Sequence, residues 1–516
     1  MSMQNLPRVT YSNIGADFTP LHAYLDEAIP AFERDVLGKS WESPFATGAK
    51  KKLFSPIDPS LVLGEFPVST ADDVKAAVAS ARKAAKRWNK ASLEERLAFA
   101  ERWRGVLSED KYKLGIASLF EVGKSRIEAI GEAEESVDML TFYPNELKRN
   151  DGYRRQMIEM VPNETAISVQ RPYGVFAVIA PFNFPVALSI GMITGALITG
   201  NAVVYKPSPE CALTGLFIAE TLKKAGLPDG VFNVVLGGAD VGEALTKDPG
   251  IDGVAFTGSH KTGMSIFRHM TTLPYMRPVL AEMGGKNPAY VTKNADIVRA
   301  AQGVVRSAFG LQGQKCSACS VVYVDNAVKE QFIEAFKEFA SKLVVGDPRR
   351  KDVFMGPVYN DAAAARFTAA VEQARAEGKI HFGGEKVEGL NGNYFVGALA
   401  EMFAPSNLTK EELFVPFVVL RGFDRLEDAI AEGNDVNYGL SAGIFSQDQA
   451  EIDYFLENAE AGVLYANRAS GATTGAWPGG QPFCGWKGTG LTGKGGLGTW
   501  YLPQFMREQS HTIMTV

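Results

Sequence analysis

A cysteine set among glycine, glutamine, lysine and serine is a pattern for reactivity rather than packing. Such a residue ends the approach in Phe309-Gly310-Leu311-Gln312-Gly313-Gln314-Lys315-Cys316-Ser317-Ala318-Cys319. Structural cysteines usually lie in apolar runs. The neighbours of Cys316 suit a turn with free backbone N–H groups, and a nearby lysine with unpaired amides favours thiolate over thiol. Cys316 is therefore a candidate nucleophile. Two further stretches carry groups that acyl chemistry needs. In Ala180-Pro181-Phe182-Asn183-Phe184-Pro185, Asn183 is either a turn asparagine bonding its own backbone or an amide donor to a developing oxyanion. In Leu280-Ala281-Glu282-Met283-Gly284-Gly285-Lys286-Asn287, Glu282 is either solvated or paired with Lys286, or is a base that activates water or the thiol.

Three more stretches suit a phosphate- and hydroxyl-bearing ligand. Phe256-Thr257-Gly258-Ser259 lies between a strand-like and a helical segment. It reads as an ordinary capped helix or as an anion seat at a helix N-terminus. Tyr205-Lys206-Pro207-Ser208 places Lys206 at a strand's carboxyl end, as a hydroxyl or phosphate contact or as a surface lysine. Glu411-Glu412-Leu413-Phe414 precedes a strand and also reads as an acidic loop end. Other matches are decoys. The GxGxxG at residues 488–493 lies too near the end for a following βαβ unit. Gly38-Lys39-Ser40 and Gly123-Lys124-Ser125 lack the earlier glycine of a P-loop. The Cys316–Cys319 CxxC pair reads as a redox pair or half a zinc site. There is no second CxxC and the five histidines are scattered, so no metal is expected.

At 516 residues the chain needs two or three domains. With 46% hydrophobic and 22% charged residues it has the composition of a globular protein. A net charge of -6 without a Lys/Arg block argues against nucleic acid as a partner. Four cysteines in this length suit a reducing compartment, and residues 1–15 have neither a basic nor an apolar leader region, so a cytoplasmic location is expected. Residues 174–205 are uncharged, but Pro181, Asn183 and Pro185 interrupt them. They read as buried strand, turn, helix and strand rather than a membrane span.

The positioning elements follow from periodicity. Helices are expected at 21–36, at 74–88 after a Thr70 cap, at 92–107, 110–122 and 125–147. This block shows no chemistry of its own. Alternation at 153–171 reads as a projecting β-hairpin. Residues 174–282 alternate short buried strands (175–179, 202–205, 231–235, 253–256, 277–282) with helices (186–198, 213–225, 241–246, 263–270), the pattern of a parallel doubly wound sheet. Residues 284–485 repeat it. Strands are expected at 321–324, 379–382, 417–422, 443–445 and 462–466, and helices at 328–343, 361–377, 426–432 and 451–456. The last stretch, 504–516, reads as a strand able to pair with a partner chain's edge, so a homodimer or higher homo-oligomer is expected.

In their order and spacing these motifs resemble the aldehyde dehydrogenase superfamily from about Thr70 to the end. Those that carry the resemblance are 181–185, Lys206, Phe256 with Gly258 and Ser259, 282–285, 313–316, 412–414 and Pro482-Phe483. The resemblance implies an α/β fold of two doubly wound domains, a Rossmann-like cofactor domain (1–149 and 172–283) and a catalytic domain (284–490). A small β oligomerisation arm (150–171 and 491–516) would complete it. It implies oxidation of a small-molecule aldehyde with NAD, NADP being possible. Cys316 would be the nucleophile, Asn183 the oxyanion donor and Glu282 the base. Pro181, Phe182, Lys206, Ser208, Gly242, Phe256, Gly258, Ser259, Glu412 and Phe414 would face the cofactor. Phe184 and Phe483 would wall the aldehyde. Within the family, the Cys316 stretch, Asn467-Arg468, Ser470-Gly471-Ala472 and Gln481-Pro482-Phe483 look like the 1-pyrroline-5-carboxylate (glutamate semialdehyde) dehydrogenase group. That likeness implies a carboxylate seat at Ser317, Gly471 and Ala472. Departures are Pro209 where many NAD-using members are acidic, Glu210 standing one place later, Phe182, Val415 and Cys484, and a long loop at 470–480 with Trp477. An aromatic or other bulky semialdehyde is the alternative substrate.

Overall fold

The computed structural model describes residues 6–11, 13 and 16–515. The reading of residues 1–15 as leader-free lies in part outside them. Two parallel sheets organise the molecule. The first has five strands in the spatial order Val279–Glu282, Gly253–Thr257, Val175–Ile179, Ala202–Lys206, Phe232–Val234, all parallel. Counted along the chain this is the order 3-2-1-4-5 read from the far edge, a Rossmann-type winding. Its strands are apolar at nearly every position because helices cover both faces. The order reverses between Val175–Ile179 and Gly253–Thr257, so their carboxyl ends open a crevice.

The second sheet has seven strands: Gly378–Phe382, Ala398–Met402, Phe417–Phe423, Cys319–Asp325, Asn287–Val291, Ser441–Phe445 and Val463–Ala466. Only its first pair is antiparallel. Separate apolar clusters cover its two faces. The uncharged stretch 174–205 is strand, helix (Ala187–Ile198) and strand. Among the described residues no helix is long and apolar enough to cross a membrane.

Several elements differ from expectation. The helices expected at 92–107 and 110–122 are one helix, Leu93–Val122. The polar Ser108-Glu109-Asp110 triplet lies largely on its outer side, and no proline breaks it. Thr70 does cap Ala71–Trp88, in a reciprocal box with Asp73. The strand Asn287–Val291, the helix Ile297–Phe309 and the strand Ala398–Met402 were not expected. Asn287-Pro288 disguises the first strand, since proline seldom enters a sheet interior. Ala398–Met402 is built of good helix formers.

The C-terminal strand, expected to seek a partner's edge, is Met506–Met514. It pairs antiparallel with Glu164–Pro172 of its own chain, from Met506 opposite Pro172 to Met514 opposite Glu164. Arg155–Gln156 completes this small arm. The stretch 491–516 divides: Leu497, Tyr501, Leu502 and Phe505 pack in the core of the first sheet, and the strand that follows forms the arm. Asn201 Nδ2 donates to Phe505 O (2.9 Å), and a Cβ on Gly195 would come within 2.5 Å of the Phe505 ring. Gly195→Ala therefore overpacks this joint. It should lower stability by about 1–3 kcal/mol, read as a lower denaturation midpoint at unchanged slope.

Candidate active site

The approach to Cys316 is a coiled segment in a conformation side chains resist. Leu311 (φ 48°) and Gln312 (φ 56°) are left-handed, followed by Gly313 (φ 67°). Leu311 and Gln312 each cost about 1–3 kcal/mol in this conformation, whereas glycine adopts it freely, so the surroundings must hold these two. Gln312 Nε2 donates to Gly123 O (3.0 Å) and Pro357 O (2.8 Å). Leu311 N–H donates to Glu128 (3.0 Å), and Gln314 Oε1 accepts the N–H of Tyr359 (3.0 Å). Beyond the thiol, Asn287 Nδ2 donates to the carbonyls of Cys316 (2.7 Å) and Ala318 (2.9 Å). Gly285 must lack a side chain, because its Cβ would lie 2.3 Å from Cys316 O.

Cys316, Ser317, Glu282, Phe184 and Phe483 line one cavity. Glu282 Oε1 accepts the N–H of Gly496 (2.8 Å), while burial pushes its carboxyl up to about 7. Lys286 does not pair with Glu282; its Nζ donates to Leu408 O (2.7 Å), and burial lowers it to about 8. Asn183 is buried and is not among the residues lining this cavity, although its neighbour Phe184 is; its Nδ2 donates to Gln314 O (2.9 Å). That bond occupies one of the two amide hydrogens.

The electrostatics of the thiol differ from expectation. Lys315, expected to favour thiolate, turns to Glu128 (2.8 Å). Burial and the facing carboxyls of Glu412 and Glu282 hold the Cys316 thiol well above the ordinary cysteine range, against the backbone N–H groups of Ser317 and Cys316 that favour the charged form. Cys319 is buried in its strand, its thiol directed to Val321 O (3.4 Å), and is free.

The wall near the substrate end departs from the expected one. Ala472 is buried in the second sheet's core with its N–H on Gly303 O (3.0 Å), and a Cβ on Gly471 would meet Thr474 at 2.3 Å. Gly475 and Ala476, later in the same loop, reach the cavity in place of Gly471 and Ala472. Sequence reasoning also missed Tyr11, Glu135, Met139 and Tyr143 on its wall. Burial pushes the Glu135 carboxyl up to about 8. A signal was present: Glu128, Glu132, Glu135 and Met139 recur at helical spacing on one face.

The crevice at the first sheet's carboxyl ends adjoins this cavity. Lys206 is buried rather than a surface lysine. Its Nζ donates to the carbonyls of Pro207 and Gly237 (3.0 Å each), and burial lowers it to about 8. A Cβ on Gly242 would come within 3.3 Å of its Cε. Ser208 Oγ donates to Glu210 (2.7 Å). Ser259 caps the helix His260–Thr271, accepting the N–H of Thr262 (3.3 Å). Gly258 packs on the Phe256 ring, its N–H on Glu282 O (3.1 Å). Glu412 accepts the N–H of Gly285 (2.9 Å), and burial raises it to about 7. Pro181 follows the strand Val175–Ile179. Phe182 stacks on Tyr359 (3.7 Å between centroids) and meets Phe414 edge-on (6.0 Å). Phe414 is left-handed (φ 56°). The bare backbone at Gly242, Gly258 and Gly284, with a helix N-terminus, a lysine and a carboxylate around them, fits a ribose–diphosphate chain.

Residues 45–510 match the model of the aldehyde dehydrogenase family. The chain belongs to that family. It is 34% identical over 433 residues to an alpha-ketoglutaric semialdehyde dehydrogenase of Bacillus subtilis (82% of this chain, 87% of that one). It is 32% identical over 502 residues to a 1-pyrroline-5-carboxylate dehydrogenase of Geobacillus sp. (95% and 96%). The structure superposes on a 1-pyrroline-5-carboxylate dehydrogenase from Thermus solved with bound NAD, at a TM-score of 0.92 and 28% identity, covering all of both chains. As a family member the enzyme oxidises an aldehyde with NAD(P).

The thiol's setting predicts its reactivity. In a Cys484→Ser background, alkylation of Cys316 by iodoacetamide in the cofactor-free enzyme should rise with pH around an inflection above the usual cysteine value of about 8.5. Glu412→Gln should move that inflection down, because a facing negative charge is removed.

Proposed function

We propose that this dehydrogenase oxidises L-glutamate γ-semialdehyde, the open form of 1-pyrroline-5-carboxylate, to the free dicarboxylic acid. The observation that carries the reading is the shared cavity of Cys316 and Glu282, flanked by Ser317 and the small residues Gly475 and Ala476. A hydroxyl beside small loop residues suits a carboxylate at the far end of a short aldehyde. The two relatives named above support it, since one is named as a semialdehyde dehydrogenase and the other as a 1-pyrroline-5-carboxylate dehydrogenase.

The Cys316 thiol gives up its proton to water as Sγ adds to the aldehyde carbon, giving a thiohemiacetal whose carbonyl electron pair moves onto oxygen. Asn183 and the backbone N–H of Cys316 hold the oxyanion, and one such donor contributes about 2.7–4 kcal/mol. NAD(P) supplies the hydride acceptor. The thioester left on Cys316 is hydrolysed by a water whose proton Glu282 takes, which returns the thiol. Lys206 and Glu412 would hold the two riboses, and the helix start at Ser259 would hold the diphosphate. Pro181, Phe182, Ser208, Gly242, Phe256, Gly258 and Phe414 shape that seat. Phe184 and Phe483 wall the aldehyde. Glu282 supports hydrolysis over transfer to coenzyme A, so acid should form without added coenzyme A.

The four free cysteines support a cytoplasmic, reducing setting. The arm supports a homo-oligomer: its loop exposes Met157, Ile158, Met160 and Val161, and its edge strand Ile513 and Met514, an apolar surface for a second copy. Ile158→Lys with Met160→Lys should shift sedimentation toward the monomer; an unchanged profile counts against the arm.

Steady reduction of NAD or NADP with glutamate semialdehyde should vanish in Cys316→Ala. Glu282→Gln should release one equivalent of reduced cofactor and then slow by about 10²–10⁴-fold. The base must be ionised to act, and burial raises it to about 7. The hydrolytic step should therefore rise as pH passes upward through about 7 and level off above it, and Glu282→Gln should lose that inflection. Wild-type enzyme that turns over other aldehydes but not this one overturns the substrate reading.

A further inference from the structure

Tyr11 comes from the N-terminal segment ahead of the first helix, far in sequence from every motif of the site. It lies on the wall of the Cys316 cavity and also on that of a second cavity immediately outside it. The two cavities share Tyr11, Phe184 and Lys315. Phe184 sits under the buried Lys124 ammonium (3.9 Å from its ring centroid), and Lys315 is paired to Glu128. The Tyr11 ring stands edge-on to Trp477 of the long 470–480 loop (5.6 Å, 86°).

One carboxylate fastens both rings. Asp138 Oδ2 accepts the indole N–H of Trp477 (2.8 Å), and Asp138 Oδ1 accepts Arg8 Nη2 (2.8 Å), three residues before Tyr11. Arg8 also reaches Glu134 (3.1 Å), Val9 is buried against Gly131, and Asn13 closes the segment by bonding Arg8 O (2.7 Å) and Thr10 N–H (2.7 Å). The ring is held in place rather than lying loosely on the surface. The outer cavity is bordered by Gly131, Val353, Phe354 and Trp477, a largely apolar space that a longer acyl chain would fill.

We propose that Tyr11, braced by Trp477, is a specificity-determining residue: its ring partitions the two cavities and limits the enzyme to short aldehydes. Removing the ring joins them and gives longer or bulkier chains a place to lie. Long aldehydes gain because the added methylenes leave water in the joined space, a gain a short aldehyde does not share. The inference rests on aldehyde oxidation in the Cys316 cavity, and not on which semialdehyde is the natural one.

The test is kcat/KM with NAD(P) for unbranched aldehydes from propanal to decanal, beside glutamate semialdehyde. Wild type, Tyr11→Ala, Tyr11→Phe and Trp477→Ala are compared. In Tyr11→Ala, the octanal-to-propanal ratio of kcat/KM should rise about tenfold or more over wild type. Tyr11→Phe should keep the wild-type length profile, since the ring and not the hydroxyl divides the space. Trp477→Ala should move part-way. If Tyr11→Ala does not fold, Tyr11→Leu decides on the same criterion. A length profile unchanged by loss of the ring overturns the inference, even with glutamate semialdehyde turned over. A shifted profile with inert glutamate semialdehyde leaves it standing and overturns only the substrate assignment.

Discussion

The Glu132 carboxylate, fully buried, ties the helical block to the turn that carries Asn183 and Phe184. One oxygen takes the Lys124 ammonium (2.5 Å) and the Ser118 hydroxyl (2.9 Å). The other takes the N–H groups of Val186 (2.7 Å) and Ala187 (3.1 Å), at the start of the helix Ala187–Ile198. A helix N-terminus lacks intrahelical partners for its first N–H groups and carries partial positive charge, so a carboxylate there answers both needs. Removing one member of a buried pair strands the other charge, at a cost of about 3–5 kcal/mol. The arrangement recurs: Glu121, also buried, accepts the N–H groups of Leu213 (2.8 Å) and Thr214 (3.0 Å) at the start of the next helix. The block that showed no chemistry in sequence thus fixes two helices of the first sheet through two carboxyl groups.

The same block reaches Cys316 from the other side. Glu128 takes the N–H of Leu311 and the ammonium of Lys315, so it steadies the left-handed approach and occupies the cation next to the thiol in sequence. What then faces Cys316 is acidic, through Glu282 and Glu412. A thiol held protonated in the resting site is protected from stray oxidation and alkylation, because the thiolate is the reactive form. Preorganisation here lies in geometry, and the charge balance is left to what enters the crevice.

The parts legible in sequence were those whose signal is local. Buried strands such as Val175–Ile179 and Ala202–Lys206 announce themselves as apolar runs that follow a glycine and end near a proline. The Thr70 cap is a four-residue pattern. The three stretches holding Cys316, Asn183 and Glu282 stood out because polar residues ended apolar elements. What was hidden depends on tertiary context. Ala398–Met402 is a strand only because Phe417–Phe423 lies beside it, and Pro288 is accepted at a register shift next to Cys319. Lys315 beside Cys316 suggested an activated thiol, yet adjacent residues in a turn need not point the same way, and Glu128 could not be placed from sequence. Gly471-Ala472 and Gly475-Ala476 are alike in composition, and only the fold decides which pair meets the cavity.

The N-terminal segment shows how function divides between the two kinds of information. The reacting groups lie on rigid elements or their immediate ends, where small errors in position are costly. The rim is built from chain that the sheets do not need: a segment before the first helix and an enlarged loop near the end. They meet only because the helix Arg126–Arg149 offers Asp138 to both, with Arg8 on one carboxylate oxygen and Trp477 on the other. Changes in such segments alter the outer wall of the cavity without disturbing Asn183 or the Cys316 thiol. A family with one chemistry and many aldehydes needs this separation, since pocket shape can then vary while the reacting geometry stays fixed.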